Sequence, residues 1–252
     1  MEVMVITIFI LVFALVFIGA FLQGISGIGT GLVVVAVLPL FMTVKETTLI
    51  VLIILIFGGI TVVLKYYRYI EWNKIIEFLI YVLMGRIIAF YILTTFGDLD
   101  WIKIWLGIFL LLIVLYQLLL PKIIKKKNTE NQPQRYMIII IGLSAGVIGG
   151  IFGIGGIFLA TYFLMIYPTK KYSYMVSVQI SAIISSVFSI TLHAVNGDFE
   201  FTLIPYVIVG IIAVILGTLA GLRKLDQVNP KFIKKILLIL IALASLNLIF
   251  FS

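Results

Sequence analysis

The sequence predicts an all-α polytopic membrane protein of two inverted repeats, each a glycine-tipped helical hairpin plus three transmembrane helices. Three observations predict it: an excess of apolar residues, a glycine-rich segment that occurs twice, and a lopsided placement of basic residues. The chain is 63% hydrophobic and only 11% charged. Soluble domains carry about a quarter charged residues. So little polar surface cannot cover a water-soluble globule, and lipid must be part of the solvent.

A spanning helix needs about 20 apolar residues at 1.5 Å each. Runs near 3–22, 46–64, 75–96, 100–120, 172–194, 203–222 and 231–250 meet that length. The first follows only Met1 and Glu2, without a basic leader, and reads as a structural span, not a cleaved signal peptide. Runs 30–42, 136–150 and 153–167 are too short to cross comfortably, and each adjoins glycines. The polar, basic segment 121–135 divides the chain into a first repeat, 1–120, and a second, 136–252.

The repeat is explicit. Gly24-Ile-Ser-Gly-Ile-Gly-Thr30 returns as Gly150-Ile-Phe-Gly-Ile-Gly-Gly156, 126 residues later, with five of seven positions identical. Each copy precedes a short apolar run, a full span, an acidic-aromatic loop (Tyr69-Ile-Glu-Trp72 and Asp198-Phe-Glu-Phe201) and two closing spans. Internal repeats of this kind mark transporters more than enzymes.

Charge fixes the expected topology. If each glycine-rich stretch is a hairpin tip, loops 65–74, 121–135, 168–172 and 222–235 share one side and hold 15 of the 18 Lys and Arg. The other side carries Glu2, Glu46, Asp98, Asp100, Asp198 and Glu200, with only Lys45 and Lys103. The positive-inside rule makes the first side cytoplasmic. A hairpin plus three crossings is an odd count, so the second half lies inverted and both termini lie outside the cytoplasm of a multi-pass cell-membrane protein. The net charge of +8 is then a matter of topology, and no nucleic-acid partner is expected.

Four groups of residues could carry chemistry. The glycine tips come first, with Gly24, Gly27, Gly29, Gly150, Gly153, Gly155 and Gly156 and the hydroxyls of Ser26 and Thr30. Short helices that begin at such tips present unpaired N–H groups and a partial positive charge, a ready anion site. Close helix packing is the plainer use of the same glycines. Arg86 comes second, the one charge deep in a span, expected to face the bundle interior or a cavity. Its planar fork suits an oxyanion. Third is the polar run of 172–194, including Ser177 and Gln179, which could line a path or bond between helices. Fourth is His193, the single histidine, at the outer end of its span beside Asn196 and Asp198, where an interfacial place is the plainer reading and a proton relay the other.

Other classes fit poorly. With no cysteine there is no disulfide or thiolate site. One histidine and scattered carboxylates make no metal centre. The Gly-x-Gly patterns follow no strand and precede no Lys-Ser/Thr, so they are not nucleotide loops; no cofactor is expected. Gly24-Ile-Ser-Gly27 matches the Gly-x-Ser-Gly of intramembrane serine proteases, but Ser26 and His193 are expected too far apart to pair.

The tips Gly24-Ile-Ser-Gly-Ile-Gly-Thr-Gly31 with Pro39-Leu40, and Gly146-Val-Ile-Gly-Gly-Ile-Phe-Gly-Ile-Gly-Gly156, resemble the sulfite exporter TauE/SafE family over nearly the whole chain. That family's pattern has longer glycine runs, a Val-Pro and a Thr-Ser pair. Here Thr30 interrupts the first glycine run and Ile157 ends the second, Met165 stands where a second proline is expected, and Thr47-Thr48 and Ser177 lie near the Thr-Ser positions. The resemblance implies transport of small sulfur-containing anions: sulfite, sulfonates or thiosulfate. A carrier, an anion channel, a coupling proton or sodium ion, and a homo-oligomer are all compatible with the sequence.

Overall fold

The computed structural model describes residues 2–124, 134–225 and 230–250. Among them the structure is helical and contains no strand. The first half is α1 (Glu2–Ser26), α2 (Thr30–Val37), α3 (Val44–Tyr66), α4 (Trp72–Phe96) and α5 (Asp100–Ile124). The second is α6 (Arg135–Phe152), α7 (Gly156–Ile166), α8 (Lys171–Asn196), α9 (Ile204–Lys224) and α10 (Pro230–Phe250). Six described helices are long and apolar enough to cross a membrane.

Local chemistry sets the helix ends. Thr43 and Glu46 form a reciprocal capping box at the start of α3: Glu46 N donates to Thr43 Oγ1 at 3.1 Å, and Thr43 N to Glu46 Oε2 at 2.7 Å. Pro39 follows the last α-helical turn of α2, which ends as a short 3₁₀ turn, Leu38–Leu40. The two hairpin turns depend on glycine in the left-handed region: Gly27 at φ 84° ends α1 and Gly153 at φ 70° ends α6. Side chains with a Cβ rarely adopt those angles.

Two boundaries differ from the sequence expectation. The α1 helix continues through Gly24 to Ser26, and α6 through Gly149 and Gly150 to Phe152. A glycine in a packed helix does not break it, because tertiary contact overrides propensity. At 18 residues α6 is long enough to cross, not the short run that 136–150 suggests. Helix α5 runs to Ile124, into the stretch 121–135 expected as linker; residues 125–133 lie outside the described residues.

Helix packing repeats between the halves. The α1 helix packs on α9, and its counterpart α6 packs on α4. Backbones touch in both pairs. A Cβ on Gly221 would fall on the Phe21 carbonyl, and one on Gly146 on the Val82 carbonyl. Both pairs run parallel, with Phe17 beside Gly217 and Phe21 beside Gly221, and with Val82 beside Gly146 and Ala89 beside Gly150. Helices α3 and α8 cross the centre side by side and run antiparallel: Lys45 meets Asp198, Gly59 meets Ile183, and Tyr66 stacks on Tyr172.

A Gly146→Val variant therefore has to part α4 from α6. Overpacking of this kind costs about 1–3 kcal/mol or more. We expect a clear loss of thermal stability in detergent. Gly210→Ala is the control, since its Cβ would meet only the end of the Ile54 side chain at 3.3 Å, and it should shift the midpoint little.

Candidate functional site

The two hairpins overlap inside the bundle. From Gly29, α2 turns back along α1, placing Thr30 and Val33 against Gly19. From Gly155, α7 turns back along α6, placing Gly155 against Ala145 and Gly149. The tips then lie side by side, with the Gly31 backbone on the Gly153 carbonyl and Ile28 against Gly156. Each first arm ends on a hydroxyl from the central helix of the other half: Thr48 Oγ1 donates to Ile151 O at 2.8 Å, and Tyr174 Oη to Ser26 O at 3.3 Å.

A small cavity of about 40 Å³ lies between the tips. Gly29, Gly31 and Leu32 line it from the start of α2, and Gly155, Gly156 and Ile157 from the start of α7. Neither N-terminus has a side-chain cap. Four backbone N–H groups at a helix start have no partner within the helix, and they carry roughly half a positive charge. Two such ends face one space.

Arg86 of α4 completes the wall. It is 3% exposed. Its Nη2 donates to Ser185 Oγ at 3.2 Å, while Nε and Nη1 have no partner in the protein. No carboxylate balances it among the described salt bridges. The side chain passes over Gly149 and Gly150, where a Cβ would lie 3.1 Å from Nη2 and 3.3 Å from Cδ. Those glycines make room for the guanidinium. A buried cation with free donors, beside two helix N-termini, is complementary to a small oxyanion.

Opposite Arg86, Gln23 Nε2 donates to Gln179 Oε1 at 3.0 Å, and Gln179 Nε2 to Gly27 O at 2.7 Å. This pair pins the first tip to α8. The ring of Tyr174 covers Gly27 and separates the cavity from a vestibule of about 230 Å³ at the basic end, lined by Ser26, Thr169 and Lys171 among others.

Of the residues singled out from sequence, Gly27, Gly29, Arg86, Gly153, Gly155, Gly156 and Gln179 line the cavity. The other five do not. Gly24 lies in the α1–α9 contact, and Gly150 accommodates Arg86 and Ala89. Thr30 is buried against Gly19. Ser177 is buried along α8. Ser26 turns away to the vestibule, with its single hydroxyl proton within reach of the Leu22 and Ile28 carbonyls, 2.8 and 2.7 Å from Oγ. Ser26 and His193 sit at opposite ends of α8: Tyr174, which holds Ser26, is 19 residues from His193, about 28 Å along the helix. They form no dyad.

Sequence reading passed over two features. Gln23 lines the cavity but serves in the sequence only as the border of a glycine stretch. The halves also match at Val82-Leu-Met-Gly-Arg86 and Val214-Ile-Leu-Gly-Thr218, 132 residues apart, where Gly85 and Gly217 both sit in close helix contacts. Arg86 thus has Thr218 as its counterpart. The shift from 126 to 132 hid that pairing. The cavity is near-symmetric in backbone and asymmetric in charge.

His193, at the end of α8, is 1% exposed. It forms the end of a network at the acidic end of the bundle. Asp198 takes His193 Nδ1 at 2.6 Å and Lys45 Nζ at 3.1 Å, plus Thr94 Oγ1 and Asn196 Nδ2 at 3.0 Å each. Lys45 and Thr94 belong to the first half, the others to the second. Burial alone would push the Asp198 carboxyl up, but these four donors outweigh it and hold it down at about 2. A depressed carboxylate adds stability above its unfolded value near 4, and loses it as pH falls through the folded one. The network should therefore hold at pH 5 and fail between pH 4 and 2. Asp198→Asn should flatten that part of the pH–stability curve, measured by thermal shift.

Residues 11–248 match the protein family described as sulfite exporter TauE/SafE. The chain belongs to that family. The TauE/SafE match spans both hairpins, both central helices and Arg86, so the whole site lies within it. TauE/SafE proteins are membrane transporters of sulfur anions such as sulfite, and the six apolar helices agree with a multi-pass membrane protein. No curated protein and no solved structure matches the chain.

Proposed function

We propose that the chain is a secondary transporter that carries a small sulfur-containing oxyanion (sulfite, a sulfonate or thiosulfate) across the cell membrane. The observation that carries this reading is the convergence of two uncapped helix N-termini and the unpartnered N–H groups of Arg86 on one cavity. Gly29, Gly31, Gly155 and Gly156 offer backbone donors, and Arg86 supplies the charge. The antiparallel run of α3 against α8 supports two inverted halves, which would rock about this point to expose it to either face. The basic end is then cytoplasmic and both termini are outside. Tyr174 is the thin barrier on the inner side, and the Lys45–Asp198 ion pair, which joins the two halves, is the closure on the outer side.

The test is a panel of sulfite, sulfate, thiosulfate, a small sulfonate and a carboxylate in proteoliposomes. Saturable uptake and counterflow of a sulfur oxyanion are expected. Equal flux for the carboxylate would contradict the substrate class. An unsaturable conductance would contradict a carrier and indicate an anion channel.

A further inference from the structure

Helix α8 carries hydroxyls at every fourth residue toward His193. Ser181, Ser185, Ser189 and His193 form one i, i+4 ridge along the helix. All four are at most 2% exposed. Ser185 accepts from Arg86, and the Oγ atoms of Ser181 and Ser189 have no partner in the protein. Buried hydroxyls without partners are sites where ordered water or a passing ligand makes the missing bond. From Ser185, which meets the Arg86 guanidinium at the cavity wall, the ridge runs eight residues to His193, about 12 Å.

We infer that His193, held by Asp198, is the site of a proton that moves together with the anion. The inference rests on the transport reading. The charged groups facing His193 are Asp198 in the following turn, Lys45 of α3 and Arg86 of α4, with Asp98 behind Lys45. The α7 helix has no charged residue, and the only one in α6, Arg135, lies at the opposite end of the bundle. A metal cation fits poorly at this place. The Asp198 oxygens are already taken by four donors, and the Lys45 ammonium stands beside them. The imidazole accepts a proton without any rearrangement of ligands. A proton on His193 and an anion at Arg86 attract across about 12 Å, which corresponds to roughly tenfold in affinity at an effective dielectric of 20. Loading one therefore favours loading the other, and the two travel in the same direction.

The experiment uses the full-length protein in vesicles loaded with a pH-sensitive dye, with the membrane potential clamped by potassium and valinomycin. The probe is a small alkanesulfonate, which carries no proton of its own near neutral pH. An inward sulfonate gradient should acidify the lumen in the wild type. His193→Gln should keep sulfonate–sulfonate exchange, lose the acidification, and lose the roughly tenfold gain in sulfonate affinity that a proton on His193 supplies. Wild-type sulfonate entry without acidification overturns the inference, as does entry that follows a sodium gradient, or full acidification in His193→Gln. If that variant fails to reconstitute, the wild-type trace alone decides. Absence of flux for every sulfur anion contradicts the proposed substrate instead, and proton-linked flux of another anion leaves His193 in its role.

Discussion

Replacing Arg86 with methionine should abolish saturable transport of sulfur oxyanions while leaving the protein folded. The guanidinium is buried, has one partner, and offers two unpartnered nitrogens beside the cavity. Hydrogen bonds to charged groups contribute about 1.5–3 kcal/mol each. Losing two of them predicts a fall in apparent affinity of about a hundredfold or more. Stability should move the other way. A buried charge without a countercharge is costly in the membrane interior, and Ser185 keeps its bond to the Ala182 carbonyl at 3.2 Å. Thermal stability of Arg86→Met in detergent should equal or exceed that of the wild type. Arg86→Lys tests geometry: it keeps the charge and loses the planar fork, and should recover only a small part of the affinity. A stabilised protein with full transport would show that Arg86 serves packing alone. A collapsed protein would show that it holds the fold.

Gly31→Val should be nearly as damaging to transport, for a steric reason. Even a single Cβ at position 31 would fall on the Gly153 carbonyl, where the two tips touch. Gly31 cannot move back, because Thr30 beside it is wedged against Gly19. The substitution must push the start of α2 away from α7 and spread the donors lining the cavity. A positional error of 1 Å or so is enough to spoil a site built from fixed dipoles. We expect transport to be lost and stability to fall by about 1–3 kcal/mol, as for other overpacked cores. Gly156→Ala is the comparison. Its Cβ would meet only the Ile28 methyl at 3.5 Å, an ordinary contact, so stability should hold while any transport defect reports on the cavity itself.

Much of this was legible in the sequence, because the bilayer imposes few solutions. The apolar runs and the loops between them follow from spanning length. The turns at Gly27–Gly29 and Gly153–Gly155 follow from a repeat that places glycine at the same points twice. Arg86 stood out because a charge in mid-span is rarely idle. What could not be read is where glycines act by proximity. Gly24 and Gly146 look like tip residues, yet both are interior to helices and serve close packing against α9 and α4. Ser26 shares the motif of the tip but points to the vestibule, since one residue of helix turns a side chain by about 100°. The burial of His193 depends on Asp198, Lys45 and Thr94 converging from three segments, and no local pattern encodes that. The match of Arg86 to Thr218 lies hidden behind an insertion between the repeats.

The most direct measurement is a structure of the reconstituted protein with selenite, the selenium analogue of sulfite, located by its anomalous scattering. One strong site is expected between the starts of α2 and α7, within hydrogen-bond reach of Arg86 Nε or Nη1, and it should vanish in Arg86→Met. Selenium found only in the basic vestibule beside Ser26 and Lys171, or unchanged by the loss of Arg86, would contradict the cavity between the hairpin tips as the place where the anion is held.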